Sequence, residues 1–327
     1  MSKRFSIAEY KKGLLDGNRV SLARCITLVE SKLASDQELA GGLLEAIMPH
    51  TGHSIRVGIS GVPGVGKSTF IESFGTYLTE QGHKVAVLAI DPSSSLSKGS
   101  ILGDKTRMNK LAVNPKAFIR PSASGGNLGG VASKTRESIL LCEAAGYDWI
   151  LIETVGVGQS ETLVREMTDF FLLLMLAGAG DELQGIKRGI MEICDALLIN
   201  KADGDNAIPA KRAAADYKNA LHLFREPESG WLPKVETISS LHDQGIDRVY
   251  EMVNAYHNHT LHNGYFEENR HKQDIAWLME LIREELLKSF AQFRQDQSIW
   301  EEETCAIKSG KIPVRTAFQH IMKAYRQ

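Results

Sequence analysis

The run Gly61-Val62-Pro63-Gly64-Val65-Gly66-Lys67-Ser68-Thr69 constrains this chain more than any other stretch. Its spacing is Gly, four residues, Gly-Lys-Ser. It lies between the alternating apolar run Ile55-Arg56-Val57-Gly58-Ile59 and a helical-looking segment from Thr69 to Gln81. Strand, glycine-rich loop and helix in that order are what a phosphate-binding loop requires. A triphosphate concentrates negative charge that many short, fixed donors must meet. Gly64 and Gly66 let the backbone wrap closely, so that successive N–H groups and the positive end of the next helix face a β-phosphate. Lys67 would add a point charge at the β- and γ-phosphates, and the Ser68 hydroxyl would ligate Mg²⁺. The alternative is an ordinary glycine-rich turn. The ordered context favours phosphate, and it specifies a nucleotide without saying which one.

At 327 residues the chain has room for one large α/β domain with appendages. Its 38 basic and 40 acidic residues, with an isoelectric point near 6.6, give no broad electrostatic footprint for nucleic acid or an anionic membrane. Cys25, Cys142, Cys194 and Cys305 form no Cys-x-x-Cys pair, which suits a reducing compartment and speaks against a structural zinc site. Lys3 and Arg4 precede no apolar segment, and Glu9 and Asp16 do not suit an acid-poor transit peptide, so a cytoplasmic location is expected. The longest apolar run, Phe170 to Ala179, has ten residues against the roughly 20 a membrane helix needs, and reads as a buried strand.

Residues 1–53 predict a helical N-terminal extension, broken between Gly13 and Asn18. Leu22, Ile26, Val29 and Leu33 form one apolar stripe, and Leu39, Leu43, Leu44 and Ile47 another, which fits packing without chemistry. From Ser54 to about Leu241, apolar runs alternate with helical segments. That pattern predicts an α/β fold, a P-loop NTPase with a mostly parallel sheet flanked by helices. The expected strands are Ile55 to Ser60, Lys84 to Ile90, Ala117 to Arg120, Trp149 to Glu153, Phe170 to Leu176, Ala196 to Asn200 and Val235 to Ser239. Ligands of such sheets collect beyond the carboxyl ends of the strands, which makes the residues just after each run the candidates.

The second strand ends in Asp91, an acid that can face the Mg²⁺ region, and the polar stretch from Ser93 to Arg107 has the composition of a mobile loop. Asp104 within it is a second candidate for the metal shell; both acids also suit a turn or helix cap. The run Ser124 to Gly130 reads as a partner-facing or dynamic loop before a helix from Val131 to Ala145. The fourth strand delivers Glu153-Thr154-Val155-Gly156, in which the carboxylate can hold a Mg²⁺ water while the Gly156 amide senses a γ-phosphate. Gln159 and Ser160 lie where a water-orienting group would sit. The fifth strand opens into Gly178 to Gly189, where Lys187 is a candidate for neutralising transition-state charge, or for a solvated or partner-contacting role.

The sixth strand ends in Asn200-Lys201-Ala202-Asp203. A carboxylate accepts from both the ring N–H and the exocyclic amino group of guanine, whereas adenine has an acceptor at that ring position and no 2-amino group. Asp203 therefore selects guanine, with Asn200 and Lys201 shaping the base pocket. Ser239-Ser240-Leu241, after the seventh strand, is placed to present backbone N–H groups to the guanine carbonyl oxygen.

On these runs the chain resembles the metallochaperone-type P-loop GTPases of the SIMIBI class, and most closely the MeaB/ArgK family of methylmalonyl-CoA mutase-associated GTPases. The resemblance covers nearly the whole chain and rests on Gly61 to Thr69, Asp91 to Ser95, Glu153 to Glu161, Gly180 to Gly189 and Asn200 to Asp203. It implies GTP hydrolysis coupled to protecting, loading or reactivating an adenosylcobalamin-dependent mutase. It further implies a first switch over Asp91 to Arg107, a second over Glu153 to Glu166, and a third over Gly180 to Gly189 that communicates with the mutase. A G domain over 54–262 and a homodimer with residues 263–327 as its helical arm complete the expectation. Most P-loop GTPases have Asp at the position of Glu153, so this chain departs from that pattern at a residue expected near the metal.

Ile275, Leu278, Ile282, Leu286 and Phe290 recur at helical steps between about Phe266 and Phe293, which suits a long amphipathic helix. The stretch from Ile307 to Arg326 reads as a turn at Gly310 to Pro313 and a last helix. His257, His259 and His262 do not share one helical face and read as a solvated helix end, not a metal site. A metal-insertion GTPase is disfavoured because no Cys-x-x-Cys or His-rich tract is present. A transport-linked ATPase or kinase is opposed by Asp203, and an inactive interaction module by the intact loop. Catalysis would then be positioning and charge stabilisation by Lys67, Mg²⁺, Glu153 and switch residues, slow until a partner completes the site.

Overall fold

A computed structural model describes residues 5–90, 108–121, 128–154, 160–178, 188–296 and 298–326. Three helices come first, α1 (Ile7–Leu15), α2 (Arg19–Glu30) and α3 (Ala34–Ile47). The α/β core follows as β1 (Ile55–Gly61), α4 (Lys67–Glu80), β2 (Val85–Ile90), α5 (Asn109–Val113), β3 (Ala117–Arg120), α6 (Leu128–Ala144), β4 (Trp149–Thr154) and α7 (Ser160–Arg165). It continues with β5 (Phe170–Leu176), α8 (Arg188–Glu192), β6 (Ala196–Asn200), α9 (Ala207–Leu221), β7 (Lys234–Thr237) and α10 (Ile246–His262). Last come α11 (Tyr265–Asp296), α12 (Ile299–Lys308) and α13 (Val314–Tyr325).

The strands form one seven-stranded sheet in the order β3-β2-β4-β1-β5-β6-β7, and each neighbouring pair is parallel. Continuous apolar strands are sorted by the pleat into two cores. Ile150, Ile152, Phe171, Leu173 and Met175 join the helices of the N-terminal extension, α6 and α9 on one side. Val57, Ile59, Leu151, Phe170, Leu172 and Leu174 meet Phe70, Phe74, Val249 and Tyr256 of α4 and α10 on the other. From β1 the later strands lie on both sides, β2 and β3 beyond β4 and β5 to β7 opposite, so the crevice opens where β1 ends. Register alone brings Glu153 of β4 between Ile59 of β1 and Ala89 of β2.

The chain divides into two compact units, residues 1–273 and 274–327, with α11 continuing from the first into the second. In the first, a capping box closes the start of α1: the Ser6 hydroxyl accepts from the Glu9 N–H, and the Glu9 carboxylate accepts from the Ser6 N–H. Leu33 departs from the expected stripe. It stands at the N-cap of α3 and is exposed, because α2 ends at Glu30 and the chain turns before the stripe's next step. The seventh strand is also shorter than expected, ending at Thr237, since Ser239 pairs instead with Gln244. In the second unit, Phe290 packs edge-on against Tyr325, with ring centroids 5.3 Å apart, and against Trp300 of α12.

The floor of the sheet, at the amino ends of the strands, carries buried ion pairs. Asp169 accepts from Arg270 Nε at 2.8 Å and Nη2 at 2.7 Å. Asp195 pairs with Arg165 at 3.0 Å and accepts from the Phe171 N–H. Glu143 accepts from Gly52, Ser54 and Arg56.

The histidine trio is more packed than expected. The His257 ring stands edge-on to Phe266 at 4.8 Å, and His259 Nε2 meets the Ser229 carbonyl at 3.1 Å, while His262 is exposed. The long apolar run is strand β5, and among the described residues no helix is long and apolar enough to cross a membrane.

Candidate nucleotide site

β1 runs straight into the glycine-rich loop, and α4 begins at Lys67. Backbone geometry accounts for the glycines. Gly64 and Gly66 have φ of +76° and +93°, left-handed values that residues with a Cβ rarely adopt. A Cβ on Gly66 would stand 3.1 Å from Asn200 Nδ2, and one on Gly61 would stand 2.4 Å from the Leu174 carbonyl oxygen. Val65 is fully buried and pins the loop to the core, while Pro63, Gly64 and Thr69 are exposed and Val62 is half-buried.

Lys67 Nζ donates to the Gly61 carbonyl at 2.9 Å, bending the ammonium back over its own loop. Burial lowers its pKa, against the opposing pull of Glu153 and Glu161. Glu153 is 3 % exposed, and the Ser68 hydroxyl donates to its Oε1 at 3.3 Å. A helix N-terminus, an ammonium and this hydroxyl–carboxylate pair together can take an oxyanion and a hard divalent cation. Asp91, Asp104, Gly156, Gln159 and Lys187 lie outside the described residues.

At the end of β6 the guanine-type motif is tied directly to that loop. Asn200 Nδ2 donates to the Val65 carbonyl at 2.8 Å, and Lys201 Nζ to the Gly64 carbonyl at 2.9 Å. Lys201 is itself left-handed, with φ +59°, and Asn206 Nδ2 holds its carbonyl at 2.6 Å. Ser240 donates twice to Asn200 Oδ1, from its N–H at 3.1 Å and its hydroxyl at 2.8 Å. The Ser239 hydroxyl donates to Asp203 Oδ2, fixing that carboxylate. Leu241 extends beside them, 73 % exposed. The structure therefore gathers Gly61 to Thr69, Glu153, Asn200 to Asp203 and Ser239 to Ser240 at one sheet edge. It also uses the Ser239 and Ser240 N–H groups internally, on the Gln244 carbonyl and on Asn200. The sequence reading missed this bracing, and it missed Ser73, whose hydroxyl donates to Asp243 at 2.5 Å. A serine on a buried helix face carries no signal of a partner 170 residues away.

Comparison with known proteins agrees with this arrangement. The chain is 45 % identical over 316 residues to GTPase ArgK of Escherichia coli strain K12, covering 97 % of this chain and 96 % of that one. It is 45 % identical over 327 residues to the mitochondrial methylmalonic aciduria type A homolog of Mus musculus, covering 96 % of this chain and 78 % of the relative. A solved structure titled LAO/AO transport system kinase superposes with a TM-score of 0.80 at 38 % identity, with full coverage of both chains. A family model described as methylmalonyl Co-A mutase-associated GTPase MeaB matches residues 22–295. A P-loop fold with a guanine-type motif braced against its phosphate loop, matched over that span, makes this chain a GTPase of the MeaB family.

Proposed function

We propose that this GTPase acts as a Mg²⁺-dependent G-protein chaperone of an adenosylcobalamin-dependent methylmalonyl-CoA mutase, serving cofactor loading, protection or reactivation. The observation that carries the reading is the match over residues 22–295, whose description joins a GTPase to that mutase. The mouse relative's name, methylmalonic aciduria type A homolog, points to the same metabolism.

In this reading Gly61 to Thr69 cradle the phosphates, and Lys67 leaves the Gly61 carbonyl to meet the β- and γ-oxygens. Asp203, oriented by Ser239, accepts from the guanine ring N–H and amino group. Asn200 and Lys201 wall the base, the exposed Leu241 packs on it, and the Ser240 N–H transfers from Asn200 to the guanine carbonyl oxygen. The oxygen donors suit Mg²⁺: Ser68 Oγ and Glu153 Oε1 stand 3.3 Å apart, both hard ligands beside the phosphate loop. Ser68 and Glu153 would hold the ion, directly or through water, with Asp91 and Asp104 as further ligands. When bound, Mg²⁺ supplies charge neutralisation at the β- and γ-oxygens. Lys187 is the proposed further cation for transition-state charge.

A cytoplasmic homodimer is part of the proposal. The unit of residues 274–327 surrounds an apolar groove of about 800 Å³ lined by Ile282, Leu286, Phe290, Trp300 and Ile321. Leu287 and Phe318, which also line it, are 63 % and 61 % exposed, and a second copy of the chain is the proposed occupant of this apolar groove. The test follows mutase activity during prolonged turnover. Addition of this protein with GTP should extend the mutase's working life, and Lys67→Ala should abolish the extension. An unchanged rate of inactivation, with no complex on gel filtration, would overturn the chaperone reading.

A further inference from the structure

Among the described residues, two that are not glycine have a left-handed backbone, Lys201 and Asp243. Both belong to the loops at the base end of the site, where strained backbone is kept only if its surroundings hold it. The Asp243 loop begins where the Ile238 N–H donates to the Ile199 carbonyl at 2.9 Å, and the Ala202 N–H donates back to Ile238 at 3.0 Å. Paired hydrogen bonds of 3.0 Å between Ser239 and Gln244 close it. In the turn between them Ser240 is buried, whereas Leu241, His242 and Asp243 are exposed, Asp243 with φ +53°. Its carboxylate reaches back to α4, where Oδ1 accepts from the buried Ser73 hydroxyl at 2.5 Å.

These contacts close a ring. The P-loop carbonyl of Val65 accepts from Asn200, Asn200 accepts from Ser240, the turn leads to Asp243, and Asp243 accepts from Ser73. Ser73 lies on the same helix as Lys67, roughly 9 Å along its axis. The fold does not depend on this bond to join α4 to α10, because Tyr77 and Tyr250 already pack across them with centroids 5.6 Å apart. Among the described residues, this is the one hydrogen bond that joins the turn to the phosphate-binding helix. We infer that Asp243 is a positioning residue for guanine recognition, which through Ser73 fixes the base-binding turn against the phosphate-binding helix. The inference rests on the nucleotide site proposed above.

Two probes separate base from phosphate: GDP, and inorganic tripolyphosphate, which lacks the base. Asp243→Gly keeps the left-handed backbone and removes the acceptor, whereas Asp243→Asn retains an oxygen for Ser73. By calorimetry and stopped-flow release of GDP, Asp243→Gly should weaken GDP about tenfold, chiefly through faster dissociation, as expected for one lost positioning hydrogen bond. Tripolyphosphate should bind it as it binds the wild type, and Asp243→Asn should stay within about threefold of the wild type for GDP. Ser73→Ala should match Asp243→Gly, and the double variant should be no weaker than either single one. GDP binding unchanged in Asp243→Gly, tripolyphosphate lost in parallel, or single effects that multiply would each overturn the inference. A wild type that binds no GDP would instead refute the nucleotide site.

Discussion

Removing the Arg270 side chain tests what holds the first turns of α11 to the floor of the sheet. Arg270 grips both oxygens of Asp169 and also donates to the carbonyls of Gly52 at 2.8 Å and Ser54 at 2.6 Å, while its guanidinium lies 4.3 Å from the Phe266 ring centroid. The pair is nearly dry, with side chains 12 % and 3 % exposed. Arg270→Ala leaves Asp169 buried with one fewer cation, and breaking a buried pair this way costs about 3–5 kcal/mol. For a unit of this size that is a fall of roughly 10 °C in melting temperature. The sign with pH is fixed. Burial alone would push the Asp169 carboxyl up, but Arg270 and Arg56 override it and hold the carboxyl below its ordinary value. A carboxyl depressed in the folded state adds stability above its unfolded pKa of about 4, and that stability is lost as pH falls through the folded value. Without Arg270, burial prevails and the carboxyl rises, so the penalty should be largest at neutral pH and shrink as the medium nears pH ~5. Urea unfolding of wild type and variant at both pH values measures this. A loss under about 1 kcal/mol, or one equal at both pH values, would refute the argument.

Three other outcomes are expected. Asp203→Asn should lose GTP by about a hundredfold and gain xanthosine triphosphate, whose 2-carbonyl accepts from the new amide; nucleotide competition measures both. Gly66→Ala should weaken nucleotide binding severely while shifting the melting temperature only a few degrees, because a Cβ there meets strained φ +93° backbone and crowds Asn200, a disturbance confined to the phosphate loop and its brace. Phe318→Asp should convert a dimer to monomer in sedimentation velocity and leave intrinsic GTP turnover within about twofold, since it alters the apolar rim in the unit of residues 274–327.

The strands were legible because a doubly covered sheet demands uninterrupted apolar runs, and six of the seven end within a residue of where those runs end. The seventh strays because Ser239 closes a turn with Gln244, a pairing that local sequence does not announce. The phosphate and guanine motifs were legible as chemistry, yet their mutual bracing was not. It depends on β6 lying two strands from β1, a fact of sheet order. Asp169 and Asp195 each sit just before a buried strand, a visible hint of the floor, but Arg270 arrives from 101 residues away. His257 and His259 looked solvated because their neighbours, Phe266 and the Ser229 carbonyl, come from other segments. Helix α12 escaped notice because its acidic run Glu301 to Glu303 masks the apolar face formed by Trp300 and Ile307.

GTP turnover by the purified protein, alone and with an adenosylcobalamin-dependent methylmalonyl-CoA mutase, tests the account most directly. Slow intrinsic hydrolysis that rises severalfold with the mutase, and vanishes in Lys67→Ala, is the predicted result. Intrinsic hydrolysis that the mutase neither accelerates nor retards, with no complex between them, would contradict it.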